Sequence, residues 1–208
     1  MGTLRQWNLA PIMEAFGCRY LFETGTSSGD GVHYACFFRF DEIWSVEIID
    51  ALAQQARQRF AGDNRVHILN EASETALVRI LPAVPPSRPI LFWLDAHFPG
   101  ADNGLAGYGD EPDVDRRLPL QRELDVIAAL RPTSRDVVII DDLRIYEDGD
   151  WEQGPLPECA STLPPERRNI DFIERSRWAV THNIERSTRH TGYLMLTPKP
   201  RAAMAHAA

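Results

Sequence analysis

The sequence predicts the α/β class: a doubly wound sheet of about seven strands, mostly parallel, with a C-terminal antiparallel hairpin and helices on both faces. Three observations carry the prediction. From residue 19 to residue 141, short apolar runs alternate with segments of helical periodicity, the order of a parallel sheet covered on both sides. Ile90 to Leu94 is apolar at every position, as a strand buried on both faces must be. Near the C-terminus, "RWAVTHNIE" and "TRHTGYLMLTP" are strand-like and separated by only a few polar residues. That spacing leaves no room for a crossover helix, so the sheet finishes antiparallel.

Each element follows in turn. "RQWNLAPIMEAFG" reads as an irregular start and a short helix stopped by Gly17. "RYLFET" is a buried strand running into a glycine-rich turn, and "DGVHYACFFRF" is helix-like. "EIWSVEI" is the second strand, and "DALAQQARQRF" is a helix that opens on the capping residue Asp50. "RVHIL" makes the third strand, and "SETALVRIL" a helix ended by Pro82. "ILFWLD" is the fourth strand, "LPLQRELDVIAAL" an amphipathic helix and "DVVIID" the fifth strand. The order is Rossmann-like. Two long loops, 96–117 and 143–168, are rich in Gly, Pro and Asp. Each leaves the carboxyl end of a strand, where open α/β sheets bind ligands.

Composition narrows the function. At 208 residues, with 44% hydrophobic and 25% charged residues, the chain fits one globular domain over 1–200, with an Ala-rich frayed tail at 201–208. A net charge of −8 disfavours a nucleic-acid backbone as partner and suits a small molecule or a positively charged cofactor. No apolar run reaches membrane-spanning length and no signal pattern opens the chain, so neither membrane nor export is expected. Cys18, Cys36 and Cys159 are scattered and odd in number, as reduced thiols of a cytoplasmic protein are.

"ETGTSSGDG", Glu23 to Gly31, joins the first strand to the first crossover helix. Glycines there let the chain turn sharply and let a ligand approach the helix N-terminus. Glu47 ends the second strand, where a carboxylate accepts hydrogen bonds from ribose hydroxyls. Gly25, Gly29 and Gly31 do not match G-x-G-x-x-G, so these features indicate a nucleoside cofactor without saying which. The plain alternative is a turn that serves only tight strand–helix packing. From about Tyr20 to Pro198 the chain resembles the class I S-adenosylmethionine-dependent methyltransferases, whose first motif is an acid followed by glycines and whose second strand ends in an acid. The resemblance implies that Glu23, Gly25 and Gly29 lie near the amino-acid part of S-adenosylmethionine and that Glu47 binds its ribose. It also implies that Ser73 and Glu74 lie near the adenine. Short N-terminal helices often pair in such enzymes, so a homodimer stays open.

Strand four ends in Asp95, and strand five in Asp141 and Asp142. Parallel strands bring these acids to one edge, where they repel unless a cation sits between them or one takes a proton. A hard divalent cation such as Mg²⁺ answers that repulsion with oxygen ligands. The chain resembles the metal-dependent catechol O-methyltransferase type here: Asp95, Asp141 and Asp142 fall on its three metal positions, with Asp95 also beside the cofactor. That type carries a catalytic lysine just beyond its first metal aspartate. This chain has Phe98 at about that place and no lysine before Lys199. His97 is the titratable base nearby, and as a general base, a metal ligand or a strand cap it has three readings. Arg144, Tyr146 and Trp151 could line an acceptor pocket or simply pack a loop. His67 and His182 read as ordinary strand histidines, and His190 as the start of the last strand. The function expected is methylation of a small-molecule hydroxyl, dependent on S-adenosylmethionine and Mg²⁺. An NAD-dependent oxidoreductase, a metal-dependent hydrolase and a non-catalytic cofactor-binding module are the alternatives.

Overall fold

The computed structural model describes residues 3–157 and 163–200, so Cys159 and the proposed tail lie outside the described residues. Seven strands form one sheet: β1 (Tyr20–Thr24), β2 (Glu42–Val46), β3 (Val66–Leu69), β4 (Ile90–Leu94), β5 (Val137–Ile140), β6 (His182–Ser187) and β7 (Tyr193–Pro198). Their order is β3-β2-β1-β4-β5-β7-β6. β3, β2, β1, β4 and β5 run parallel, while β7 pairs antiparallel with β5 and with β6. The strand order reverses between β1 and β4, and the cleft of a doubly wound sheet opens above such a switch point.

Alternate residues of the central strands feed two cores. Phe22, Phe92, Leu94, Val138 and Ile140 pack on one face, and Leu21, Leu91, Trp93, Val137 and Ile139 on the other. The first face is covered by α4 (Ser73–Ile80) and α6 (Leu120–Leu130), the single turn α5 (Val114–Arg117) lying between them in the chain. The second is covered by α1 (Leu9–Phe16), α2 (Asp30–Ala35) and α3 (Asp50–Arg59). All five residues of β4 are buried, which explains its unbroken apolar run.

Four expectations change. Asp50 does not cap its helix: it is the first residue of α3, Ile49 stands at the cap, and the Asp50 carboxylate accepts from Gln54 Nε2 at 2.7 Å. The helix expected over 30–40 stops at Ala35, because the Arg65 guanidinium takes the carbonyls of Cys36, Phe38 and Phe40 and holds the chain irregular. The strand expected from Arg177 begins only at His182; Arg177–Thr181 is a short helix whose N-terminus Ser176 caps at Trp178 N. His190 is not in the last strand: it sits in the hairpin turn with φ 53°, and β7 begins at Tyr193. No helix among the described residues is long and apolar enough to cross a membrane.

Candidate active site

The parallel ladder continues past the strand ends and sets the edge residues in register. Asp95 N–H donates to Thr24 O at 3.2 Å, and Asp141 N–H to Leu94 O at 3.1 Å. Gly25 N–H and Thr26 N–H both donate to Val46 O, and Glu47 N–H to Leu69 O. The last residues of four strands are thereby fixed around one cleft of about 910 Å³.

Gly25 (φ 84°) lies in the cleft wall. A Cβ there would stand 2.7 Å from the Asp95 carbonyl oxygen, so only glycine lets the turn approach β4 this closely. Glu47, 6% exposed, is held through both oxygens: Ser27 N–H donates to Oε2 at 2.8 Å and Ile49 N–H to Oε1 at 2.9 Å. Burial raises its pKa, against the pull of those amides. Each oxygen keeps accepting capacity for a ligand. Ser73 and Glu74, at the start of α4, complete the opposite wall.

Asp95, His97, Asp141 and Asp142 line the same cleft. His97 stands between two carboxylates, Nδ1 3.5 Å from Asp95 and Nε2 3.5 Å from Asp142. Asp142 has φ 54° and takes Arg144 Nε at 2.7 Å. Asp141 accepts from Asp142 N–H at 2.7 Å and from the Thr191 hydroxyl at 3.1 Å, both on Oδ1. Burial and then the charge of Asp142 push the Asp141 pKa up. Burial, followed by the charges of Asp141, Asp142 and Glu23, pushes that of Asp95 well up. A half-buried and a buried carboxyl that repel one another suit a hard cation between them, so Asp95 and Asp141 fit a divalent metal. Asp142 presents an oxygen at the same edge, but Arg144 engages its other one. Among the described residues, no three His, Cys, Asp or Glu side chains are already gathered as a metal site.

The structure brings together Gly25, Glu47, Ser73, Glu74, Asp95, His97, Asp141 and Asp142 and leaves two expected residues apart. Glu23 is buried beneath the turn, because strand alternation aims it at α2, where Gly31 leaves space for its carboxylate. Ser45 donates to it at 2.5 Å, yet burial still pushes its pKa up to about 8. Gly29 backs onto the Phe60 ring. Arg144, Tyr146 and Trp151 are not in the cleft wall: Arg144 grips Asp142, and Trp151 packs on Gly192. Ser27, Asn103 and Thr191 were not singled out by the sequence. Ser27 Oγ donates to Asn103 at 3.2 Å, tying the glycine turn to the loop after β4. Only that loop's unusual length signalled Asn103, and nothing local signalled Thr191.

No protein-family model matches the sequence, and no curated protein does. Solved structures do match. A Staphylococcus aureus protein described as a candidate caffeoyl-CoA O-methyltransferase superposes with a TM-score of 0.62 at 12% identity, over 94% of this chain and 82% of that one. An O-methyltransferase from Bacillus cereus, in complex with SAH, gives 0.56 at 15% identity, over 92% and 79%. An SAH-bound methyltransferase from Podospora anserina gives 0.53 at 12% identity, over 91% and 75%. The likeness establishes a shared fold: a mixed seven-stranded sheet of the Rossmann-like methyltransferase type.

Proposed function

We propose that the protein transfers a methyl group from S-adenosylmethionine to a hydroxyl of a small-molecule acceptor. One observation carries the reading: a glycine turn packed on the Asp95 backbone with no room for a Cβ, the doubly anchored Glu47 carboxylate and the Asp95–His97–Asp142 group all line a single cleft. Glu47 would accept from two ribose hydroxyls, and Ser73 and Glu74 would face the base. The acids of the cleft suit a cofactor that carries positive charge.

Asp95, Asp141 and Asp142 would hold a divalent cation. When bound, the cofactor supplies an electrophilic methyl on a sulfonium, and the cation lowers the pKa of a hydroxyl placed on it. The chain's own part is orientation and proton handling. Loop 96–117 closes one side of the cleft through Asn103 and Ser27. His97 is the base nearest the cleft acids and would receive the acceptor's proton; the carboxylates of Asp95 and Asp142, 3.5 Å from its two ring nitrogens, hold the imidazole in place and would stabilise its charged form. Thr191 and the Asp142 amide fix the Asp141 carboxyl from behind.

Calorimetric titration tests the reading without an acceptor. S-adenosylhomocysteine is expected to bind, and Mn²⁺ is expected to bind wild type but far more weakly Asp141→Asn. No heat from the nucleoside would overturn the methyltransferase reading. Nucleoside binding with no response to Mn²⁺ would overturn only its metal-dependent form.

A further inference from the structure

Glu123 has no part in the reading above, yet few side chains in the fold are so unfavourably placed. It lies in the first turn of α6, 0% exposed, and neither carboxyl oxygen completes a hydrogen bond with a protein group. An unpartnered buried polar group is costly, and native proteins keep few of them. Burial pushes its pKa up to about 7, and the nearby Ser73 and Thr24 hydroxyls act in the opposite sense. Those two hydroxyls place Glu123 directly behind the cleft. Ser73 lies in the cleft wall at the N-terminus of α4, with little of it exposed. Thr24 ends β1, and its Oγ1 already accepts from Asp95 N–H at 3.2 Å.

A hydroxyl has one proton. If that proton is turned backward to a carboxyl, the oxygen can only accept from what lies in front. We propose that Glu123 is a positioning residue that takes the Ser73 hydroxyl proton, so that Ser73 shows the cleft a lone pair and reads the exocyclic amine of adenine. The inference rests on the adenosyl reading of the cleft. Ionised, the carboxyl can only accept, so the Ser73 proton has one direction to take; the titrations below are read at pH 8, above the Glu123 pKa of about 7. Adenine presents N–H donors at this position. A 6-deaminated base presents a carbonyl oxygen, which would meet the Ser73 lone pair and be repelled. The buried acid therefore gives selectivity for adenosyl over inosyl ligands, and its unmet hydrogen bonds close when the cleft is filled.

The test is calorimetric titration of the full chain with S-adenosylhomocysteine and with S-inosylhomocysteine. Wild type is expected to favour the adenosyl ligand by about tenfold or more, the worth of one hydrogen bond gained against one lost. In Glu123→Gln the amide can donate to Ser73 and turn its proton forward, so the ratio of the two affinities should fall by about tenfold. Ser73→Ala should lower the ratio similarly. Glu123→Asp, which draws the carboxyl back by one methylene, should also lower it and serves if the glutamine variant does not fold. A merely structural Glu123 would weaken both ligands alike and leave the ratio unchanged, which overturns the proposal, as does a wild type that binds both equally. A wild type that binds neither ligand overturns the adenosyl reading, and this inference with it.

Discussion

Ser27, Phe98 and Asp142 hold positive φ although they are not glycine, and all three line the cleft. Such backbone costs about 1–3 kcal/mol per residue and persists only where the surroundings over-determine it. Here Phe98 is pinned by its buried ring and by its N–H to Arg117 O, and Asp142 by Arg144. The strain turns the chain so that Asp95, His97 and Asp142 share one space. None of this could be read from residue types, because Ser, Phe and Asp do not announce left-handed backbone as glycine does. His97 is different: its place three residues after a buried strand is visible in the sequence, and the structure sets it between two carboxylates. In a screen of hydroxyl compounds with a radiolabelled methyl donor, His97→Gln is expected to lower turnover by about 10²-fold or more. Its affinity for S-adenosylhomocysteine should stay within about twofold of wild type, since the ring's neighbours are the Asp95 and Asp142 carboxylates and not Glu47. Full turnover in the variant would remove the base from His97.

At the scale of elements, the parallel strands were legible because each is a short apolar run between helical segments, and their ends carry the acids that later meet. The exceptions share a cause. Arg65, far from residues 36–40 in the sequence, satisfies their carbonyls and shortens α2; Ser176 caps a turn of helix inside what reads as a strand. Thr191 reaches Asp141 because the β6–β7 hairpin returns beside β5, a long-range pairing that local pattern does not encode. The opposite edge of the sheet has its own long-range device. Arg131, at the end of α6 and 2% exposed, donates to both oxygens of Asp136 and to the carbonyls of Val84 and Arg88. Asp136 in turn accepts from Ile90 N–H at 2.8 Å. One ion pair thus joins α6, the approach to β4 and the start of β5. Arg131→Met leaves Asp136 buried and uncompensated and is expected to cost about 3–5 kcal/mol in urea unfolding. A loss below about 1 kcal/mol would show that the clamp contributes little.

For the whole molecule, the placement of acids sets the pH dependence of stability. Glu23 and Glu123 keep their protons in the fold up to about pH 8 and about pH 7, both held there chiefly by burial. In the unfolded chain each titrates near its ordinary value of 4.5. Between those limits the folded state binds more protons than the unfolded one, so stability must fall as pH rises. Their contribution is fully present below about pH 4.5 and is lost progressively through pH 7 to 8. Each proton steepens the fall by up to about 1.4 kcal/mol per pH unit. The surface pairs work the other way. Arg59 holds the Asp30 pKa down, and Arg167 and Arg122 hold that of Asp115 down. Those pairs give stability above the ordinary carboxylate range that is lost as pH falls through the depressed values, though solvent screening keeps each small. The two trends together place the stability maximum on the mildly acidic side of neutrality. Urea midpoints of the ligand-free protein are therefore expected to fall steadily from pH 5 to pH 8. Glu23→Gln should flatten that fall and be more stable than wild type at pH 8, because the amide keeps the Ser45 contact and has no proton to lose. A wild-type midpoint that rises across this range would show that Glu23 and Glu123 ionise in the fold despite their burial.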